Sequence, residues 1–147
     1  MKRPVFLVAE TEEEAWDQCI MVWEAICALS DDELNIVIKK TKEHRYHGVD
    51  IILKDYVFAK YNWHIDSHDR CPFCDYYKYG SDCPLSVPDD RNPHHCDYGC
   101  VTSYSYNSLG DRNLSVEDIR KFSCNFLREI KKAISEKRKG QIYSSSD

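Results

Sequence analysis

The sequence predicts a single, mainly α-helical domain in which one irregular, cysteine-rich loop is braced by zinc; a small α+β arrangement is the alternative. Three observations support this prediction. The chain has 147 residues, which is the size of one typical domain. Apolar residues recur at three- and four-residue steps behind capping patterns typical of helix starts. Five of the eight cysteines lie between Cys71 and Cys100, whereas no internal repeat or domain boundary is visible.

Composition and charge narrow the class of protein. Charged residues make up 31% of the chain and apolar residues 42%, as in soluble globular domains. The formal net charge of -5 disfavours a broad nucleic-acid-binding surface, because such affinity comes from clustered lysine and arginine. No leader peptide or membrane-length apolar run is visible, so we expect a cytoplasmic protein without a membrane partner. Dense cysteines in a reducing compartment bind metal more often than they form disulfides.

The N-terminal helical part is predicted to cover about residues 10–64, preceded by a short strand. The apolar run Pro4–Ala9 predicts this strand, although no partner strand is obvious. Thr11 and Glu14 form a capping box, in which each side chain binds a backbone N–H at the start of a helix. The apolar pattern behind this box predicts a helix that ends near Leu29.

Two more helices are predicted before the cysteines. Ser30 and Glu33 repeat the capping pattern and begin a helix that reaches about His44. Residues 49–63 fit either a helix or a pair of strands, because they are rich in apolar, aromatic and β-branched side chains. The helix is favoured, since no turn residue interrupts the run.

The composition and the hydrophobic pattern of the sequence change at about residue 66. From there to about residue 110, prolines and glycines recur and no hydrophobic period persists. An irregular stretch of that length inside a compact domain needs something to organise it. Ser115 and Asp118 then begin a final helix, predicted over about residues 115–138. Its C-terminal half is basic, with Arg128, Lys131, Lys132, Lys137, Arg138 and Lys139.

A structural zinc ion is the predicted organiser of the cysteine-rich segment. The motif Cys71-Pro-Phe-Cys74 places two thiols in one tight turn, where both can bind the same ion. Structural zinc takes four ligands in a tetrahedron and is well matched by thiolates. The preferred ligands are therefore Cys71, Cys74, Cys83 and Cys96.

The fourth ligand has rivals. Cys100 follows Cys96 by four residues, and His95 and His94 lie within reach, so a site of three cysteines and one histidine is the alternative. A redox role for the motif is disfavoured, because a redox pair is expected where a strand runs into a helix. The other cysteines fall within helical patterns and are predicted to be small core residues: Cys19, Cys27 and Cys124.

The order CPFC, DCPL and a later cysteine resembles a group of small phage- and prophage-encoded proteins of unknown function. Those proteins carry a CxLC motif and a second CxxCP motif between two helices, and the resemblance covers about residues 56–134. Cys83 and Cys96 match the group's pattern. Gly80 stands where the group has another cysteine, and Cys100 is the candidate replacement. The resemblance implies a viral or mobile-element origin and no settled activity.

One cluster of histidine and aspartate residues is typical of a metal-dependent enzyme. His64, Asp66 and His68 alternate along the chain, so an extended backbone would point them to one side, where they could hold a second metal and activate water. Histidine and aspartate beside a zinc site more often orient the metal's ligands through hydrogen bonds. The sequence contains no Walker loop, GxSxG or HExxH motif, which also favours a protein without catalytic activity.

The aromatic side chains of the cysteine-rich segment indicate a binding surface or a partial core. Aromatic rings can stack on nucleic-acid bases. The stretch between residues 66 and 100, however, contains seven acidic residues and only three basic ones, which disfavours a nucleic-acid partner. We therefore predict a zinc-binding interaction protein that acts on a host or viral protein. The alternatives are a metal-dependent nuclease or hydrolase and a zinc-knuckle nucleic-acid-binding protein that uses the basic final helix. The aromatic residues are Phe73, Tyr76, Tyr77, Tyr79, Tyr98, Tyr104 and Tyr106.

Overall fold

A computed structural model describes residues 3–66, 70–78, 83–85 and 103–145, with side chains up to residue 140. The predicted mainly α-helical fold is confirmed, since six helices and one two-stranded sheet make up the described part of the chain. In chain order the elements are β1 (Val5–Phe6), α1 (Glu12–Cys27), α2 (Asp31–Glu43), α3 (Val49–Tyr61), β2 (Trp63–His64), α4 (Pro72–Tyr77), α5 (Tyr104–Ser108) and α6 (Val116–Ser145).

The first two helices begin at the predicted capping residues. The Glu14 N–H donates to the Thr11 hydroxyl at 3.2 Å, ahead of α1. At α2 the box is reciprocal: the Glu33 N–H donates to the Ser30 hydroxyl at 3.2 Å, and the Ser30 N–H donates to the Glu33 carboxylate at 3.1 Å. Each bond satisfies a backbone donor that a helix start leaves without an intrahelical partner. Both helices end within two residues of the predicted positions.

The favoured helix over residues 49–63 is confirmed as α3, which ends at a left-handed Asn62 with φ 56°. The two residues that follow form β2, and this is the partner strand that the sequence did not reveal. It pairs in parallel with β1, with Val5 opposite Trp63 and Phe6 opposite His64. The chain from β1 through three helices thus returns to its starting point immediately before the cysteines.

The expectation of irregular structure from residue 66 to 110 is wrong at two places, where α4 and α5 form. The last helix begins as predicted, with the Asp118 N–H donating to the Ser115 hydroxyl at 3.1 Å. It continues to residue 145, past the predicted end at about residue 138.

The described elements share one hydrophobic core, and the most extensive packing is between α1 and α6. The Trp23 ring meets the Phe126 ring edge-on at a centroid distance of 4.7 Å, and Tyr106 of α5 packs against both. Such aromatic pairs add to the stabilisation that burial of apolar area provides. Other residues almost fully removed from solvent include Ile26, Leu34, Val37, Leu53, Val57, Ile119, Ile130 and Ile134.

The segment after α5 is fastened to the start of α3. The Asp50 N–H donates to the Leu109 carbonyl at 2.9 Å. Gly48, the residue before α3, lies so close to Gly110 that a Cβ atom on Gly48 would stand 2.3 Å from the Gly110 carbonyl oxygen. Only a residue without a side chain permits this approach of two backbones.

Arg112 fastens the same segment to the end of α2. Its guanidinium donates to the Thr41 carbonyl at 2.9 Å, to the Arg45 carbonyl at 3.2 Å and also to the His44 carbonyl. The last carbonyls of a helix have no intrahelical donor, so one arginine satisfies several acceptors at once. The chain that leaves the cysteine-rich segment is therefore held against both α2 and α3.

Glu33 is the centre of a small polar network on α2 and α3. Its carboxylate accepts from the Lys60 ammonium at 2.8 Å and from the Tyr56 hydroxyl at 3.1 Å, in addition to the Ser30 N–H. The Lys60 bond, followed by the Ser30 bond, lowers the pKa of Glu33 to about 2. The ion pair is partly open to solvent, which screens it.

The variant Glu33→Gln is expected to lower the free energy of unfolding at pH 7 by no more than about 1 kcal/mol, since solvent-exposed ion pairs contribute little. The difference in unfolding free energy between the wild type and Glu33→Gln is largest above the ordinary carboxyl pKa of 4.5, because the Glu33 carboxylate is then ionised in both the folded and the unfolded state. It declines below that pH and is lost as the pH falls through about 2, where the folded state also takes up the proton. Urea unfolding of both proteins from pH 7 to pH 2 measures this.

A matched control is Glu43→Gln, which removes an exposed carboxylate from the other end of α2. A constant difference between wild type and Glu33→Gln across the whole pH range would contradict the lowered pKa.

Candidate metal centre

The helix α4 places Cys71 and Cys74 at its N-cap and third positions. The prediction that this motif lies in irregular backbone is therefore wrong. In α2 the same two positions bring the Ser30 hydroxyl within 3.2 Å of the Glu33 carboxylate. Because side chains at these positions lie on one side of the first turn, the two thiols are placed where one ion could bind both.

Both ends of α4 are set by left-handed residues, Arg70 with φ 52° and Lys78 with φ 52°. The Arg70 guanidinium also pairs with the Asp55 carboxylate of α3 at 2.5 Å. Between the two cysteines, the Phe73 side chain is fully buried in the core. A short helix has little stability of its own, so α4 is held in place by these contacts.

Tyr77 connects α4 to α1 through two hydrogen bonds. Its hydroxyl accepts from the Trp16 indole N–H at 2.8 Å and donates to the Glu12 carboxylate at 2.8 Å. Burial, followed by the bond to Glu12, raises the pKa of Tyr77. A smaller electrostatic effect of the Cys83 thiol on the pKa of Tyr77 acts in the same direction. Sequence reasoning missed this chain of bonds, because its members are more than sixty residues apart.

Cys19 is buried in α1, as predicted, and lies near the candidate centre. Burial raises the pKa of its thiol well above the ordinary value, and the proximity of Cys71 raises it further. The prediction that Cys27 and Cys124 are also core residues is wrong, since both are partly exposed. Of these three cysteines, which lie in α1 and α6, one is therefore buried and two are partly exposed.

The predicted zinc ligands are placed only in part. Cys71 and Cys74 are half-buried and Cys83 is buried. Within the described ranges, no three cysteine, histidine, aspartate or glutamate side chains meet closely enough to hold one ion. The remaining candidates lie outside those ranges, and they are Cys96, Cys100, His94 and His95. The chemistry of the placed thiols fits zinc, because soft sulfur donors suit it.

The histidine and aspartate cluster is exposed where it is described. The His64 imidazole lies 2.9 Å from the Asn62 side-chain oxygen, and its ring packs 5.4 Å from the ring of Phe6. Asp66 is also exposed, and His68 lies outside the described residues. A role for this cluster in catalysis therefore stays a prediction.

The tyrosines of the segment divide between core and surface. Tyr106 accepts a 2.8 Å hydrogen bond from Lys54, whose side chain is almost entirely buried. Together with Tyr77 it belongs to the packed interior. Tyr104 is 77% exposed and packs edge-on against Phe122. Among the tyrosines of the segment that the structure describes, Tyr104 is the most exposed, whereas Tyr79 and Tyr98 lie outside the described residues.

The described fold is that of a mainly α-helical protein with a cysteine pair at the start of a short, packed helix. Comparison with known proteins does not add a family to this description, because no protein-family model, curated protein or solved structure matches the chain. Among the helices in the described part of the chain, none has both the length and the apolar character needed to cross a bilayer.

Proposed function

We propose that this protein is a small zinc-binding protein of phage-like type, without catalytic activity, that acts in the host cytoplasm by binding a host or viral protein. Cys71, Cys74, Cys83 and Cys96 would hold the zinc, with Cys100, His95 and His94 as rivals for the fourth position. The observation that carries the proposal is the pair of thiols at the N-cap and third positions of α4.

The surroundings of the thiol pair favour a structural ion over a catalytic one. An ion held by four protein ligands has no open position for a reacting water. The thiol pair brackets the fully buried Phe73, and the Tyr77 hydroxyl is already engaged by Trp16 and Glu12. Such packing suits an ion whose task is to fix the chain that follows α4.

The fixed segment would supply the binding surface. It is acidic, with seven acidic and three basic residues between positions 66 and 100, and the exposed Tyr104 lies just beyond it. Tyrosine is favoured at protein interfaces, and an acidic surface selects a partner with a basic one. The same acidity disfavours a nucleic-acid backbone as the partner.

Metal analysis of protein purified without chelator tests the proposal. One zinc per chain is expected in the wild type, and Cys71→Ser, Cys74→Ser and Cys83→Ser are each expected to lose it. Because such binding is coupled to folding, thermal stability should fall together with zinc content. Cys124→Ser is the matched control, since it removes a partly exposed thiol of α6 and should retain the metal. Absence of metal from the wild type, or full retention by Cys74→Ser, would overturn the assignment.

The same measurement separates the alternatives. Parallel Cys96→Ser, Cys100→Ser and His95→Ala variants identify the fourth ligand. A second metal, lost with His64→Ala, would favour the hydrolase alternative instead. On the zinc-loaded protein, a bound partner should be released by Tyr104→Ala and retained by Tyr46→Ala, an equally large change at another exposed tyrosine.

A further inference from the structure

The last helix concentrates positive charge in a chain whose formal net charge is -5. α6 contains eight basic and four acidic residues, so it contributes +4 and the remainder of the chain -9. The acidity that disfavours a nucleic-acid backbone belongs to the cysteine-rich segment and not to this helix. The surface of α6 therefore calls for a different kind of partner from the one proposed for that segment.

Four of the basic residues of α6 lie along one line of the helix surface. Their positions are separated by seven, four and seven residues, so at 3.6 residues per turn all four point within about 20° of one direction. The line runs about 27 Å along the helix axis. All four side chains are exposed, and so is that of Lys131, which lies beside the line. The four residues, which we call the basic ridge, are Lys121, Arg128, Lys132 and Lys139.

The charges of the basic ridge are open to a ligand. Within the described ranges, neither the ridge residues nor Lys131 form an ion pair with a carboxylate. The Lys121 ammonium lies 5.6 Å from the centre of the Phe122 ring, and Arg128 donates to the uncharged amide oxygen of Asn125. These contacts leave the positive charges without an anionic partner among the described residues.

The arginines of α6 that do pair with carboxylates lie outside the ridge. Arg120 pairs with Asp31 of α2 at 2.6 Å, and Arg138 pairs with Glu13 of α1 at 2.8 Å. These bonds fasten α6 to its neighbouring helices and leave the ridge on the opposite, solvent-facing side.

The exposed surface of α6 beside the ridge lacks apolar side chains. From Lys121 to Lys139 every exposed side chain is charged or a serine, and Glu136 is the one acidic residue among them. A protein partner usually needs an apolar or aromatic anchor, and a membrane surface takes up an apolar helix face. A single-stranded nucleic acid usually needs aromatic rings on which its bases stack. The phosphate backbone of a duplex requires only cations, so a duplex fits this surface best.

The dimensions of α6 favour DNA over RNA. An α-helix with its side chains is about 10–12 Å across, and the major groove of B-DNA is about 12 Å wide. The major groove of double-stranded RNA is too narrow for side chains to enter. Because B-DNA carries one negative charge per about 1.7 Å of its axis, each cation of the ridge finds a phosphate within reach.

We propose that α6 binds the phosphate backbone of double-stranded DNA, without regard to base sequence, through the basic ridge and Lys131. The proposal goes beyond the protein partner proposed above and does not depend on zinc. It gives the protein two surfaces of opposite charge, one for a protein and one for DNA.

Fluorescence anisotropy of a labelled DNA duplex, titrated with the full chain as purified, tests the proposal. Binding is expected at about 50 mM salt, and with five phosphate contacts the affinity should fall roughly 500-fold when the salt is raised to about 200 mM. A duplex of unrelated sequence should bind equally well, because phosphate contacts carry no sequence information. Absence of binding at the lower salt concentration, or an affinity that does not respond to salt, would overturn the proposal.

A pair of matched double variants tests the role of the ridge. Arg128→Ala with Lys132→Ala should weaken binding by roughly tenfold or more and reduce the salt slope by about two. The control is Lys39→Ala with Lys42→Ala, which removes two exposed lysines of α2 and should bind DNA nearly as well as the wild type. Equal weakening by both double variants would refute the ridge, because net charge alone would then explain the binding.

Two further probes separate DNA from other polyanions. They are a poly-glutamate peptide and vesicles that contain an anionic lipid. Weak or undetectable binding of both at about 50 mM salt, where the duplex binds, is the expected result. Binding of either probe through the ridge, without binding of the duplex, would assign the surface to a protein or a membrane and overturn the proposal.

Discussion

Replacing Gly48 by alanine is expected to lower the free energy of unfolding by about 3 kcal/mol, as other forced close contacts do. The new Cβ would lie 2.3 Å from the Gly110 oxygen and 2.8 and 2.9 Å from two other backbone atoms of Gly110. No side-chain rotation relieves these contacts, and Gly110 is tied to its surroundings through Leu109 and Arg112. Urea or thermal unfolding of the variant measures the loss.

Gly140→Ala provides the matched control. Gly140 is an exposed residue within α6, and a Cβ there would meet nothing within 4 Å. Alanine is the better helix former, so this variant is expected to gain roughly 0.5–1 kcal/mol. The two glycine-to-alanine changes should therefore alter the free energy of unfolding in opposite directions. Similar effects from the two variants would contradict the close approach of Gly48 and Gly110.

Phe73→Ala is expected to cost about 3–5 kcal/mol, which is the range for a fully buried aromatic side chain. Phe73 has no exposed area, packs with its ring centroid 6.1 Å from that of Tyr77, and lies between the two thiols of α4. Its loss should also weaken the zinc binding that we propose, because Phe73 holds α4 against the core. Unfolding measured with and without added zinc tests both effects, since a ligand that binds the folded state should restore part of the loss.

Phe6→Ala makes the same change at a side chain that is 69% exposed. Its unfolding free energy should stay within about 0.5 kcal/mol of the wild type, as for most surface substitutions. A loss below about 1 kcal/mol for Phe73→Ala would show that α4 is not packed as described.

The helix starts could be predicted because their causes are local. The hydroxyl accepts from the backbone N–H three positions later at Thr11, Ser30 and Ser115. The carboxylate returns the bond at Ser30 and Ser115, whereas the Glu14 carboxylate accepts from the Glu10 N–H. The strand pair could not be predicted, because β2 is two residues long and its partner lies far away in sequence. For α4 a usable pattern was present: Pro72 at the first helical position is a typical helix start.

The candidate site, like the fold, could be predicted only in part from the sequence. The spacing of Cys71 and Cys74 predicts that their thiols share one turn, and the structure places them there. The partial exposure of Cys27 and Cys124 could not be predicted. Apolar periodicity shows which face of a helix is buried, but it does not show how two helices are rotated against each other. The hydrogen bonds of Tyr77 depend on the same packing and were equally inaccessible from the sequence.

The packing of α1 against α6 has a consequence for how the protein is made. A ribosome delivers α1 early and α6 late, so Trp23 must wait for Phe126 before its ring is covered. Until then the growing chain presents the apolar face of its first helix to water and to molecular chaperones. This part of the core can therefore be completed only after α6 has been synthesised, about a hundred residues after Trp23.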